Sequence, residues 1–185
     1  LEQKPWFFYA STSHVYKIQK KPLLETDKIS PKSFYGQTKW IGEKILNKFS
    51  KTHGLYYCCG RIFSFYDNSQ QNFYLYQSIK EKLKKIKNEN IIEITNANSV
   101  IDIQKAENVA DTIIKLYEKQ AFGTVNIGTG KGTSIKNFAK KITKRKIRIL
   151  TNKHTKTYTI ANVKKLNSII KNDKIKKNFN SNSNF

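Results

Sequence analysis

The chain has 185 residues and sets 35 Lys and Arg against 13 Asp and Glu, a formal net charge of +22. Its 38% hydrophobic and 12% aromatic content is adequate for one sizeable folded core, and no run is long and apolar enough to span a membrane, so the composition reads as globular, non-membrane and cytoplasmic. The lysines are scattered among Asn and Ile or grouped on helix faces such as Lys80–Lys87, without zinc spacing, basic heptads or an RNA-binding aromatic motif. Nucleic-acid binding is therefore a distant third reading, behind general attraction for anionic ligands.

In chain order, residues 6–11 (Trp-Phe-Phe-Tyr-Ala-Ser) read as a buried strand, and residues 17–32, with Pro22 and Pro31, as a loop. Residues 33–53 carry Trp40, Ile41, Ile45, Leu46 and Phe49 at helical spacing and end before Gly54, which predicts a helix. Leu55–Phe63 is the next strand, and the adjacent Cys58 and Cys59 within it suit buried reduced thiols, neither a disulfide nor a metal site. Phe73–Lys87 reads as an amphipathic helix, Ile91–Thr95 and Val100–Ile103 as short strands, and Ala106–Lys119 as a helix. Gly123–Ile127 reads as a strand, followed by a helix over 134–144 capped by Ser or Thr. Short strands are expected at Ile147–Leu150 and Tyr158–Ala161, a last helix from Val163, and a polar, disordered tail over 172–185.

The chemistry-bearing signal is Tyr35-Gly-Gln-Thr-Lys39. Side chains four residues apart share one helical face, and an ammonium beside a phenol favours the phenolate, drawing its pKa from about 10 toward the working range. A Tyr–Lys pair at this spacing suits general acid/base work. Alone the spacing is weak, but it stands in an ordered context: Ser11-Thr-Ser13 at a strand end, Val15-Tyr16, Pro22-Leu-Leu-Glu25, Ser30-Pro-Lys-Ser-Phe-Tyr35 and Glu43. Downstream follow Arg61-Ile-Phe63, Val100-Ile-Asp102, Glu107-Asn-Val-Ala-Asp111 and Val125-Asn-Ile-Gly-Thr-Gly130.

That series, over roughly residues 6 to 170, resembles the extended short-chain dehydrogenase/reductase superfamily, the nucleotide-sugar epimerases, dehydratases and reductases. The resemblance implies an α/β fold: the C-terminal part of a Rossmann-like, doubly wound parallel sheet plus a small α/β substrate-binding region. Residues 1–66 and about 100–128 would belong to the first part, 67–99 and 129–171 to the second. The Gly-rich dinucleotide turn of the family does not precede Trp6, so the chain is expected to be the C-terminal portion of a longer protein and inactive by itself.

The implied function is an NAD- or NADP-dependent nucleotide-sugar epimerase or reductase. Tyr35 is the implied acid/base, and Lys39 the residue that holds the nicotinamide ribose and tunes Tyr35. Thr12 is implied to stabilise charge on the same sugar oxygen, Ser11 or Ser13 serving if the register shifts. Tyr35, Lys39 and Phe63 would meet the cofactor, and Ser13, His14 and Ser64 the sugar substrate. No metal ligand set is read. Dehydratases of the family usually follow the Thr with Asp-Glu, and here Ser13-His14 stand there, which disfavours water elimination. His14 is either a second proton donor or a loop-bonded histidine, and His53 and His154 read as surface residues.

Several positions depart from the family pattern. Ile101 replaces the Arg expected before Asp102, Ser64 an Asn, and Asn152-Lys-His-Thr-Lys-Thr157 the late R-x-G-D stretch. Gly128-Thr-Gly-Lys-Gly-Thr-Ser134 follows a strand like a phosphate loop, yet lacks Walker spacing and reads as a structural turn. A non-catalytic remnant or binding module of the same fold is the alternative reading, and full-length homodimers through the Tyr35 helix are expected from the family.

Overall fold

The computed structural model describes residues 5–86, 90–143, 145–152 and 156–172. In chain order the elements are β1 (Trp6–Thr12), a 3-10 turn (Ser13–Val15), α1 (Phe34–His53), β2 (Tyr56–Ile62) and β3 (Ser64–Tyr66). Then come α2 (Leu75–Lys84), β4 (Ile91–Glu93), β5 (Val100–Ile101), β6 (Ile103–Lys105) and α3 (Ala106–Glu118). The last are β7 (Gly123–Ile127), β8 (Thr133–Ser134), α4 (Ile135–Ile142), β9 (Arg148–Leu150), β10 (Tyr158–Thr159) and α5 (Lys164–Lys171). His154 and the tail beyond Asn172 lie outside the described residues.

The main sheet is parallel in the order β1-β2-β7, with Trp6 opposite Tyr56 and Thr12 opposite Ile62. β2 is central, and its residues from Tyr57 to Arg61 are all buried, as a strand covered on both faces requires. Alternation along β2 sends Cys58 into the cluster with Val109, Leu116, Val125 and Leu166. Cys59 goes to the opposite cluster with Leu46 and Tyr57. The neighbouring thiols therefore face away from each other, and both are free and buried. Helices thus cover both faces, α1 on one and α3 with α5 on the other, the doubly wound arrangement expected from the sequence.

A second core gathers Ile79, Leu83, Ile92, Ile94, Phe138 and Ile149 between α2, α4 and the parallel pair β4–β9. Two small ladders are hydrogen-bonded separately and pack Tyr66, Ile101 and Ile103 against this second core: β3 runs parallel to β6, while β5 lies between β10 and β8.

One expected strand is broken. Val100–Ile103 splits at Asp102 into β5 and β6, which join different ladders. The cause is the Asp102 side chain, 1% exposed, whose carboxylate accepts from the amides of Thr129 (2.9 Å), Gly130 (2.8 Å) and Ala161 (3.2 Å) and from the Thr129 hydroxyl (2.6 Å). The Gly-rich turn after β7 thus spends two of its amides on an internal carboxylate, the structural role expected of it. α2 also starts later than expected, at Leu75, because Tyr74 caps it without a side-chain bond and its amide closes a turn on Gln71 (3.0 Å). Ser134 caps α4 as expected, its Oγ accepting from the Asn137 amide at 3.1 Å.

Candidate active site

The candidate residues meet where β1 ends and α1 begins. Ser33 caps α1 by accepting from the Gly36 amide at 3.1 Å, and Gly54, at φ +66°, closes it in the left-handed region that favours glycine. The 3-10 turn packs against the first turn of α1 so closely that a Cβ on Gly36 would lie 2.6 Å from the His14 carbonyl oxygen. The glycine after Tyr35 is therefore what lets the tyrosine approach the end of β1.

Tyr35 is 51% exposed and its ring stands edge-on to His14, centroids 5.8 Å apart. Lys39 reaches back along the helix. Its Nζ donates to the Ala10 carbonyl at 2.9 Å and lies 5.9 Å from the Tyr35 ring centroid and 5.4 Å from that of Tyr9. With one of three ammonium hydrogens used, Lys39 keeps two donors for a ligand. Thr12 is buried and its hydroxyl accepts from the His14 amide at 3.3 Å, while Ser13 is buried in the 3-10 turn. Partial desolvation holds the His14 imidazole below its ordinary pKa.

Thr12, Ser13, His14, Tyr35 and Lys39 are thus neighbours, while Ser64 lies half-buried at the start of β3. Phe63 is 2% exposed and packs in the core with Val15, Tyr16 and Leu23. His53 is exposed and stacks on Phe49, centroids 5.0 Å apart, as a surface residue would.

Beneath the surface lies a polar network whose roles the sequence did not disclose. Glu43, 6% exposed, is held by Arg61 through Nε (3.0 and 3.2 Å) and Nη2 (2.7 Å), and accepts from the Ser11 hydroxyl. Arg61 also donates to the Glu25 carbonyl at 2.9 Å and lies 4.7 Å from the Tyr16 ring centroid. The Tyr16 hydroxyl donates to Asn126 at 2.6 Å, and the Asn126 amide donates to the Glu25 carboxylate at 2.9 Å. Burial opposes the charge on Arg61, but its bonds to Glu43 outweigh that and raise its pKa. Burial also pushes the Tyr16 phenol to about 12, keeping it a neutral donor. The available signal was Arg61 itself, a charge inside an otherwise apolar strand that must find a buried partner.

A family model described as GDP-mannose 4,6 dehydratase matches residues 1–182. No curated protein matches the chain by sequence. Among solved structures, the chain is similar to UDP-glucuronic acid 4-epimerase from Bacillus cereus in complex with UDP-glucuronic acid and NAD, with TM-score 0.76 and 22% identity over 89% of this chain and 55% of that one. It is also similar to RMD from Pseudomonas aeruginosa complexed with NADPH, with TM-score 0.78 and 16% identity over 91% of this chain and 61% of that one. A third is UDP-N-acetylglucosamine 4-epimerase from Methanobrevibacter ruminantium in complex with UDP-N-acetylmuramic acid, with TM-score 0.74 and 20% identity over 89% of this chain and 56% of that one. At these identities the likeness speaks for the fold, and the chain spans little more than half the length of the structures it matches. With the family match running nearly end to end, the chain belongs to the GDP-mannose 4,6-dehydratase family within the extended short-chain dehydrogenase/reductases.

Proposed function

We propose that this chain is the catalytic and substrate-binding portion of an NAD(P)-dependent nucleotide-sugar epimerase or reductase. The observation that carries the reading is the meeting of Tyr35, Lys39, Thr12 and His14 at the end of β1, with Tyr35 open to solvent and Lys39 pinned to Ala10. Tyr35 moves a proton at a sugar hydroxyl or carbonyl, Lys39 holds the cofactor ribose with its two remaining donors, and Thr12 steadies the same sugar oxygen. NAD or NADP, when bound, supplies or accepts the hydride. The residues present fit the ribose–nicotinamide end of such a cofactor. They do not fit its pyrophosphate through the turn after β7, because the Thr129 and Gly130 amides already serve Asp102.

A nucleotide-linked sugar is the proposed substrate, supported by the UDP-sugars bound in similar structures. A homodimer through α1 is proposed from the exposed Phe34, Ile41, Ile45 and Phe49 on that helix.

His14 separates the two reaction types. In an epimerase it protonates sugar carbon opposite Tyr35, so solvent deuterium enters the product in the complete enzyme. His14→Asn should then abolish incorporation while leaving hydride transfer largely intact. Because desolvation lowers the His14 pKa, its acid form grows as pH falls, and incorporation should rise on the acid side of neutrality. Unchanged incorporation in the mutant would make His14 a loop histidine, whereas no incorporation in the parent enzyme would favour the simple reductase.

A further inference from the structure

Among the described residues some cationic side chains have partners, while many exposed lysines, such as Lys44 and Lys48, have none. Arg61, Lys84, Lys105 and Lys21 each meet a carboxylate, while Lys39, Lys82 and Lys165 donate to backbone carbonyls. Around the N-terminal ends of the parallel strands β4 and β9 four cations gather in one place. A cavity of about 600 Å³ opens there, lined by Asn90, Lys140, Arg145, Lys146, Ile147 and Arg148. Among the described residues no carboxylate lines it or pairs with any of its four cations.

Two of the cations spring from anchored backbone. The Arg148 amide donates to the Asn90 carbonyl at 2.8 Å, and Ile149 beside it is core. The Arg145 amide donates to the Thr143 hydroxyl at 3.1 Å. Like charges gathered around one concave surface repel, and a bound anion relieves that repulsion. Two guanidinium groups offer planar forks that match phosphate oxygens, two ammonium groups add point charges, and Asn90 adds a neutral amide.

We propose that this cavity binds a small anion bearing two linked phosphates, a pyrophosphate or the diphosphate of a nucleotide, at a site separate from the Tyr35 centre. A single carboxylate would leave most of the four charges uncompensated. A long nucleic-acid strand would need a continuous positive stripe. The adjoining cavity shares Arg145, but its Lys84 is bound to Glu81 and its Lys80 donates to Asn68 at 3.0 Å and lies over Tyr76. None of Thr12, His14, Tyr35 or Lys39 lines either cavity. The segment following β9, where the family resemblance looks for nucleotide contacts, leaves the opposite end of that strand. The proposal therefore stands or falls independently of the catalytic reading.

The test is titration of the whole chain with inorganic pyrophosphate, followed by calorimetry and by amide shifts of Asn90 and Arg148, at low ionic strength where such contacts are least screened. Pyrophosphate is expected to bind at one site, with those two amides among the most shifted, and roughly tenfold or more tighter than inorganic phosphate. The double variant Arg145→Ala, Arg148→Ala should weaken it by at least about tenfold, as loss of two forked contacts implies. A charge-matched control on α1, Lys48→Ala with Lys51→Ala, should leave it within about twofold, since a remote surface charge acts only through a screened field. Arg145→Lys with Arg148→Lys keeps both charges and guards against misfolding, and it should still lose affinity if the forks matter. Equal losses in the cavity and control variants, or no saturable binding, would overturn the proposal. So would a single-stranded oligonucleotide that binds more tightly than pyrophosphate and depends on the same residues.

Discussion

Along one face of α1, Tyr35, Lys39 and Glu43 follow at intervals of four, and the two ends of that face live in opposite conditions. Tyr35 is half exposed, with His14 and Lys39 beside its ring. Glu43, two turns on, is buried, met by Arg61 on both oxygens and by Ser11. The buried end is fully compensated and joins α1 to β1, β2 and, through Glu25 and Asn126, to β7. The open end keeps donors uncommitted. In this fold the polar groups that fix geometry and those left open to solvent share one helix face, and burial separates the two.

The largest expected effect breaks the buried end. Arg61→Ala leaves Glu43 charged, buried and unpaired, and should destabilise the chain by about 3–5 kcal/mol, measured by denaturant unfolding. A loss under about 1 kcal/mol would mean the pair is solvated in solution, as surface pairs are. A second buried carboxylate sharpens the comparison. Asp102 is held by backbone amides and the Thr129 hydroxyl, with no arginine. Asp102→Asn replaces a double acceptor with a group that presents N–H toward those amides, at a cost of about 2–3 kcal/mol in the same assay. It should also expose the turn after β7, read as faster amide exchange at Thr129 and Gly130.

A smaller effect concerns the two thiols. Burial raises the Cys58 pKa to about 12 and the Cys59 pKa further still. A thiol raised above its unfolded value of about 8.5 contributes stability that is complete below that value and declines as pH climbs toward the folded one. The chain should therefore lose stability from about pH 8.5 upward, and Cys58→Ala should flatten part of that decline despite its own cavity cost. Native thiols should resist alkylation until the chain unfolds.

Much of the fold was legible because its signals are local. The spacing of Trp40, Leu46 and Phe49 marked α1, and the apolar run before Arg61 marked β2. The break at Asp102 was not legible, because nothing in Val100–Ile103 says that amides about thirty residues away will claim the carboxylate; it depends on tertiary contact alone. Similarly, the proximity of Tyr35 and Lys39 follows from spacing, but their approach to Thr12 and His14 depends on the bare Cα of Gly36 against the His14 carbonyl. The burial of Phe63 was not legible either, because a residue just past a strand end can turn inward as readily as outward, and here Val15, Tyr16 and Leu23 form the pocket that receives it.

The central claim is that Tyr35 is the proton-transfer group at the open end of α1. Its most direct test is Tyr35→Phe in the complete enzyme, with turnover and cofactor binding measured side by side. The phenyl ring keeps the contact with His14 and removes only the hydroxyl. Turnover should fall at least about a hundredfold while NAD or NADP still binds. Turnover within a few-fold of the parent would contradict the account and leave Tyr35 an exposed helix residue.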